Sequence, residues 1–219
     1  MPPDLDHPSS AAGKRVFDIA VSLLALTVAS PVLVLVAVAI KLDGPGPVIY
    51  RGVRVGRGGA PFRLYKFRTM VPDADQIGPA VTGAGDGRVT GVGRWLRRLK
   101  LDELPQFVNV LAGDMSVVGP RPEHPTFVAH YTEEQRALLS VRPGITSPAT
   151  LEYADEEARL GGEAADLYLS GVLPAKLAID LEYVRTASTL TDLKIVARTF
   201  RLVLGRALRR PLSGGSRPR

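Results

Sequence analysis

Ile19–Ile40 restricts the fold of this chain more than any other segment, because it runs for 22 residues without a charge. A helix of that length matches the hydrocarbon thickness of a bilayer. Lys14-Arg15 lie before the run, and Lys41-Leu42-Asp43 closes it. No small-residue cleavage site ends it, which argues against a cleaved signal peptide. Ser30-Pro31 interrupts it near the middle. Proline has no N–H and clashes with the carbonyl four residues back. In a membrane that carbonyl needs another partner, and the Ser30 hydroxyl is a candidate. A kinked spanning helix and a helix-break-helix that returns to the same face both fit. Basic residues at both ends, Lys14-Arg15 on one side and Lys41, Arg51 and Arg54 on the other, lean toward two cytoplasmic ends. Asp18, one turn into the run, is expected at the interface near Lys14 and Arg15.

The remaining sequence reads as a compact domain over 43–210, with disordered Pro/Ser-rich and Pro/Gly/Ser/Arg tails at 1–13 and 211–219. Asp43–Pro47 is a turn cluster. Residues 47–56 and 60–70 alternate apolar and basic residues around Gly58-Gly59, which predicts a β-hairpin with Arg51 and Arg54, or Lys66 and Arg68, on one face. Residues 71–90 read as a loop. Helices are expected over Val92–Lys100, Leu104–Leu111, Glu156–Ser170, Pro174–Thr186 and Asp192–Arg210, with one or two helical turns in Phe127–Leu139. Ser116–Val118 reads as a short strand and 142–153 as extended. In the last helix Leu193, Val196, Phe200, Val203 and Leu204 share one side, and Lys194, Arg198 and Arg201 share another. Such a helix suits either an anionic membrane surface or the side of a core. The fold class is α/β, mostly α.

Net charge is +6 and the pI about 9.8, so anionic partners are expected. There is no cysteine, which excludes disulfides and thiolate nucleophiles. Three histidines, His7, His124 and His130, argue against a multi-histidine zinc site. A metal would be a hard cation such as Mg²⁺, held by carboxylates and substrate phosphates. No nucleic-acid motif and no glycine-rich dinucleotide fingerprint is present.

The chemistry concentrates in LDELPQFVNVLAGDMSVVGPRPE, residues 101–123. Asp102-Glu103 follow the basic residues Arg97, Arg98 and Lys100. One reading makes the acids first-turn helix residues, with Asp102 as the cap and Pro105 near the start. The other makes them reactive. A carboxylate can attack phosphorus, and a neighbouring carboxylate can hold Mg²⁺ against a diphosphate. Arg97 and Arg121 could then bind phosphate oxygens, with Arg121 stiffened by its flanking prolines. Arg142-Pro143-Gly144 repeats that pattern more weakly.

KRVFDIAVSLLALTVASPVLVLVAVAIKLDGPGPVIYR, YKFRTM, LDELPQFVNVLAGDMSVVGPRPE and RPGIT, in this order, resemble the bacterial monotopic phosphoglycosyl transferases, in the small form, over about residues 14–205. The resemblance implies transfer of a sugar phosphate from a UDP-sugar to polyprenyl (undecaprenyl) phosphate, with release of UMP, at the cytoplasmic face of the inner membrane. Asp102 matches the family's nucleophile and Glu103 its Mg²⁺-associated partner. Arg97 and Arg121 match phosphate-contacting positions, Lys66 and Arg68 lie in an element beside the site, and Asp180 matches a late acidic position. Ser30-Pro31 matches the break that makes the membrane segment, residues 14–42, re-entrant. After RPGIT many members continue with a Gly-Arg-Asn type segment; here SPATLEYADEEARLGGEAADLYLSG follows, so the resemblance names no donor sugar. The oligomeric state is open, a homodimer among the options. The alternative of another class is a non-catalytic, membrane-anchored scaffold or lipid-binding protein.

Overall fold

In a computed structural model the described residues are 11–78, 81–83, 85–155 and 167–208. Residues 1–10 of the tail expected over 1–13, the whole tail expected over 211–219 and most of the helix expected over Glu156–Ser170 lie outside them, while residues 11–13 are helical rather than part of a tail.

The apolar run forms one helix, α1 (Ala11–Leu42), which passes through Pro31 without interruption. Pro31 deprives the Thr27 carbonyl of its donor, and the Ser30 hydroxyl supplies one at 2.8 Å. Only 11% of the most apolar window of α1 is buried. A core helix of a soluble protein would be mostly covered, whereas here Leu24, Val28 and Leu35 are about two-thirds exposed, at 66%, 71% and 69%.

Both ends of α1 nevertheless pack on one body. Asp18 and Ser22 are buried near the start, Val36 and Ile40 near the end. Asp18 and Val36 are separated by about five turns, as are Ser22 and Ile40, so one helical stripe makes both contacts. Val36 and Ile40 join Phe67 and Leu96 in a small core cluster. Each such buried side chain contributes roughly 1.5–3 kcal/mol. The N-terminal contact is polar. Asp18 Oδ1 accepts from the Ser116 hydroxyl and the Val117 amide, both at 3.0 Å. Lys14 reaches Asp192 at 2.8 Å and the Val118 carbonyl at 3.2 Å, and the Tyr183 hydroxyl donates to Asp192 at 2.6 Å. Asp18, expected at the membrane interface, is instead 1% exposed inside this network.

Strands β1 (Ile49–Val55) and β2 (Pro61–Phe67) pair antiparallel, with Tyr50 opposite Lys66. Helix α2 (Gly91–Leu99) follows, with Thr90 as its N-cap accepting from the Gly93 amide. A Cβ on Gly93 would meet the Thr69 carbonyl oxygen at 2.0 Å, so only glycine lets α2 lie this close to the chain leaving β2. Helix α3 (Gln106–Ala112) leads into β3 (Ser116–Val118). β3 pairs in parallel with β4 (Gly144–Thr146), forming a second two-stranded sheet.

The stretch expected to be extended over 142–153 is only half so. After β4, Ser147 caps α4 (Pro148–Glu152), its hydroxyl accepting from the Thr150 amide, and Pro148 occupies the first turn. Ser-Pro is a helix start, since proline there loses no hydrogen bond. Helices α5 (Leu173–Thr186) and α6 (Thr189–Leu208) complete the chain. A larger core gathers Val110, Met115, Val118, Phe127, Leu177 and Tyr183 from these elements.

Candidate active site

The reactive stretch sits at a sharp turn. Lys100 closes α2 with a left-handed backbone, φ 57°, and its amide donates to the Leu96 and Arg97 carbonyls. A non-glycine residue holds that conformation only under tertiary constraint. The chain then makes a 3-10 turn, Leu101–Glu103, and enters α3. Asp102 caps neither element. It is 6% exposed, and its Oδ1 has no hydrogen-bond partner. The capping reading of Asp102 is therefore not what the fold uses.

Glu103 is the opposite case. Its Oε1 receives Lys66 at 3.0 Å and Arg121 at 2.8 Å, and its Oε2 has one longer contact with Arg121, 3.5 Å. β2 delivers Lys66, and the Pro-Arg-Pro turn after β3 delivers Arg121. All four residues line one open cleft of about 1040 Å³, together with Arg97 and Arg98. Arg97 Nε donates to the Thr69 hydroxyl at 2.9 Å, a contact set by the close approach at Gly93.

These surroundings separate the two acids. Burial pushes the Asp102 carboxyl above the ordinary carboxylate range; Lys66 opposes that shift and the Glu103 charge adds to it. Burial pushes Glu103 up as well, but Arg121, Lys66 and Lys100 outweigh it and hold that carboxyl well below its usual range. Burial lowers the Lys66 ammonium, against the pull of Glu103. One carboxylate is thus held in its charged form by two cations. The other is more basic and has one oxygen without a hydrogen-bond partner.

Three other expected positions lie differently. The Arg68 guanidinium is spent on the end of α1, donating to the Ile40 carbonyl at 2.9 Å, the Gly44 carbonyl at 2.8 Å and the Pro45 carbonyl. Arg142 Nε donates to the Gly113 carbonyl at 2.8 Å, and its side chain is not part of the cleft wall. Asp180 stands behind the cleft, accepting from the Ser147 hydroxyl, the Ala149 amide and the Arg121 backbone amide. It steadies the turn that carries Arg121.

Burial raises the Asp180 carboxyl from 3.8 to about 6, against those hydrogen bonds. The folded protein thus holds this proton more tightly than the unfolded chain does. The stabilisation is present at acid pH and is lost as pH rises from about 3.8 to about 6. Asp180→Asn is expected to remove that decline, on the order of 3 kcal/mol, read as a flatter dependence of unfolding temperature on pH across this window. An unchanged slope would exclude the buried carboxyl as its source.

Several residues of the site were not apparent in the sequence. Asn109 donates to the Arg63 carbonyl at 2.7 Å and to Asp114 at 3.2 Å, and accepts from the Tyr65 amide at 2.9 Å, tying β2 to α3. Glu123 accepts from the Tyr168 hydroxyl at 2.6 Å, which in turn receives Lys176 at 3.1 Å. Tyr168 opens a π-helical turn, Tyr168–Val172, a distortion frequent at functional sites. Gln106 lies four residues after Asp102, a spacing visible in the sequence, and also lines the cleft.

Residues 9–206 match the family described as bacterial sugar transferase. The chain belongs to that family. Among curated relatives of the chain, the UDP-N-acetylgalactosamine-undecaprenyl-phosphate N-acetylgalactosaminephosphotransferase of Aeromonas hydrophila is 41% identical over 91% of the chain and 45% of the relative. The UDP-glucose:undecaprenyl-phosphate glucose-1-phosphate transferase of Caulobacter vibrioides is 44% identical over 85% of the chain and 67% of the relative. The exopolysaccharide production protein PSS of Rhizobium leguminosarum is 40% identical over 85% and 92%. The chain thus spans less than half the length of the Aeromonas relative.

Among the described residues no three His, Asp or Glu side chains converge. The protein does not by itself form a closed cage. Mg²⁺ commonly takes one or two carboxylates and completes its shell with water and substrate phosphates. The adjacent Asp102 and Glu103 carboxylates, the latter with its lightly used Oε2, fit that mode.

Proposed function

We propose that the chain transfers a sugar 1-phosphate from a UDP-sugar to polyprenyl phosphate, through a covalent intermediate on Asp102. The observation that carries this reading is the unpaired, buried Oδ1 of Asp102, a residue that lines one cleft with Lys66, Arg97, Arg98 and Arg121. An unpaired buried carboxylate oxygen is costly to the fold, and a diphosphate is the ligand that such a ring of cations accepts.

In the first step Asp102 Oδ1 attacks the β-phosphorus of the UDP-sugar. The new O–P bond forms as the P–O bond to the bridging oxygen breaks, and UMP leaves with that electron pair. In the second step a phosphate oxygen of polyprenyl phosphate attacks the same phosphorus. The O–P bond to Asp102 breaks, restoring the carboxylate and leaving a polyprenyl diphosphate sugar. The acceptor is already anionic, so no strong general base is needed. Lys66 and Arg121 hold Glu103 ionised and neutralise the incoming phosphates. Mg²⁺, bound at Asp102 and Glu103 with the diphosphate, would neutralise charge on the departing UMP. The relatives' names carry different sugars, so the donor is to be read from UMP release across a panel of UDP-sugars with undecaprenyl phosphate. Release with none of them would overturn the reading in favour of a membrane-anchored scaffold.

The same reading places the protein on the cytoplasmic leaflet of the inner membrane, with α1 re-entrant. Two features support this. Both ends of α1 pack on one domain while its middle is bare. In α6, exposed Leu193, Phe200, Leu204 and Leu208 run beside exposed Lys194, Arg198 and Arg201, as on a helix lying against anionic lipid. The chain has no native cysteine, so single cysteines report topology cleanly. Cysteines at Ser10 and at Glu133 are both expected to resist a membrane-impermeant maleimide in intact cells and to label after lysis. Labelling of position 10 alone from outside would mean that α1 spans the bilayer.

A further inference from the structure

Two buried amides on α3 contrast. Asn109 is 0% exposed, and both its side-chain oxygen and its nitrogen are used by the fold. Gln106, one turn earlier, is 1% exposed, yet its Nε2 has no hydrogen-bond partner. Buried donors are nearly always paired in native proteins, and an exception calls for an explanation. Gln106 lines the cleft with Asp102. The two lie four residues apart along a nearly continuous helical path, hence on one face. Asp102 Oδ1 also lacks a partner, so the two groups do not satisfy one another. The fold thus keeps a buried acceptor and a buried donor, both without a hydrogen-bond partner, on two residues that line the cleft.

We propose that Gln106 is a catalytic hydrogen-bond donor, its side-chain amide donating to a non-bridging oxygen of the phosphoryl group that Asp102 attacks and carries. This rests on the covalent reading above. A phosphoryl group bonded to Asp102 presents oxygens that only accept, and the side-chain NH₂ of glutamine supplies only donors. The same phosphorus is attacked in both steps, so one donor held at this position serves the transition state of each. Gln106 keeps its protons throughout: bonds to phosphorus form and break as written above, and the amide contributes only its dipole. Being neutral, it stabilises the transferring group without adding a further cation to compete for the Glu103 carboxylate.

The experiment compares Gln106→Met, close in size and without a donor, and Gln106→Glu with the parent chain in nanodiscs. It uses UDP-glucose and UDP-N-acetylgalactosamine, Mg²⁺ and undecaprenyl phosphate, and records kcat and KM for UMP release beside the unfolding temperature. Gln106→Met is expected to lower kcat about 10²-fold to 10³-fold, equally for every donor the parent accepts, with KM little changed. Its unfolding temperature is expected to stay level or rise, because an unpaired buried donor has been removed. Gln106→Glu, which places a charge beside Asp102, is expected to lose more. Retained kcat in Gln106→Met overturns the proposal. So does a fall in unfolding temperature that accounts for the lost activity, which would make the residue structural. A rise in KM for one donor only would make it a reader of sugar hydroxyls and would also overturn it. Asp102→Asn is assayed alongside. If that variant still releases UMP, the covalent reading fails and this proposal with it; if it is inactive while Gln106→Met turns over normally, only the role of Gln106 fails.

Discussion

Asp102→Asn is expected to abolish UMP release, by about 10³-fold or more, in a protein at least as stable as its parent. The two effects have separate causes. Asparagine keeps the shape of the side chain but cannot displace UMP from phosphorus. Its effect on stability follows from burial, which raises the Asp102 carboxyl. A carboxyl with a raised pKa in the folded state stabilises below its unfolded pKa, and that contribution is lost as pH rises through the folded value. The ionised form of Asp102 therefore works against folding, and a neutral amide relieves it. No hydrogen bond of Oδ1 is sacrificed, since it makes none. Activity is read as UMP release with undecaprenyl phosphate and Mg²⁺, and stability as unfolding temperature in the same nanodiscs. Substantial UMP release from Asp102→Asn would rule out the aspartyl intermediate. A matching collapse in unfolding temperature would mean that the residue serves the fold.

Asp18→Ala is expected to give the largest loss of stability, about 3–5 kcal/mol, although residue 18 is remote from the reacting groups in sequence. Its carboxylate is 1% exposed and serves the Ser116 hydroxyl and the Val117 amide, with Lys14 3.5 Å away. Alanine leaves the buried Val117 amide without an acceptor, the Ser116 hydroxyl with only the Val118 carbonyl at 2.9 Å, and Lys14 with only Asp192 as a charged partner. Breaking one member of a buried ionic network costs far more than the network contributes against an apolar replacement. The loss should appear as a lower midpoint in chemical or thermal unfolding, with residual UMP release per folded molecule close to that of the parent. Unchanged stability would show that water replaces Asp18 in this joint.

Local pattern accounts for what the sequence revealed. The adjacent acids, the prolines around Arg121 and the basic run before Asp102 lie within 30 residues, and the structure brings Lys66, Asp102, Glu103 and Arg121 into one cleft. The Ser30 hydroxyl closing the Thr27 carbonyl was likewise deducible, because a proline always frees the carbonyl four residues back. Partners distant in the chain could not be read this way. Arg68 resembles a phosphate ligand in sequence, but the Ile40 and Gly44 carbonyls it serves belong to the end of a helix and the turn after it, more than twenty residues earlier. Glu123, Tyr168 and Lys176 meet only because α5 folds back over the Arg121 turn. Asp18 looked like an interfacial charge because nothing within a few residues of it indicates Ser116. Ser147-Pro148 differs, since its helix-start signal was local but was outweighed by the extended character of the residues before it.

The seating of α1 has an evolutionary consequence. A membrane tether joined by a flexible linker could be exchanged for any other apolar helix. Here the helix contributes Val36 and Ile40 to a core cluster, Asp18 to the end of a strand, and the Ile40 carbonyl to Arg68, which also holds the Gly44 and Pro45 carbonyls of the turn that follows. Freedom to drift in sequence should therefore divide around the circumference of α1. Its lipid-facing sides can accept almost any apolar residue, while the single stripe through residues 18, 22, 36 and 40 is bound to the catalytic domain. Anchor and enzyme should then be inherited together, as one unit that recombination cannot profitably cut at residue 42.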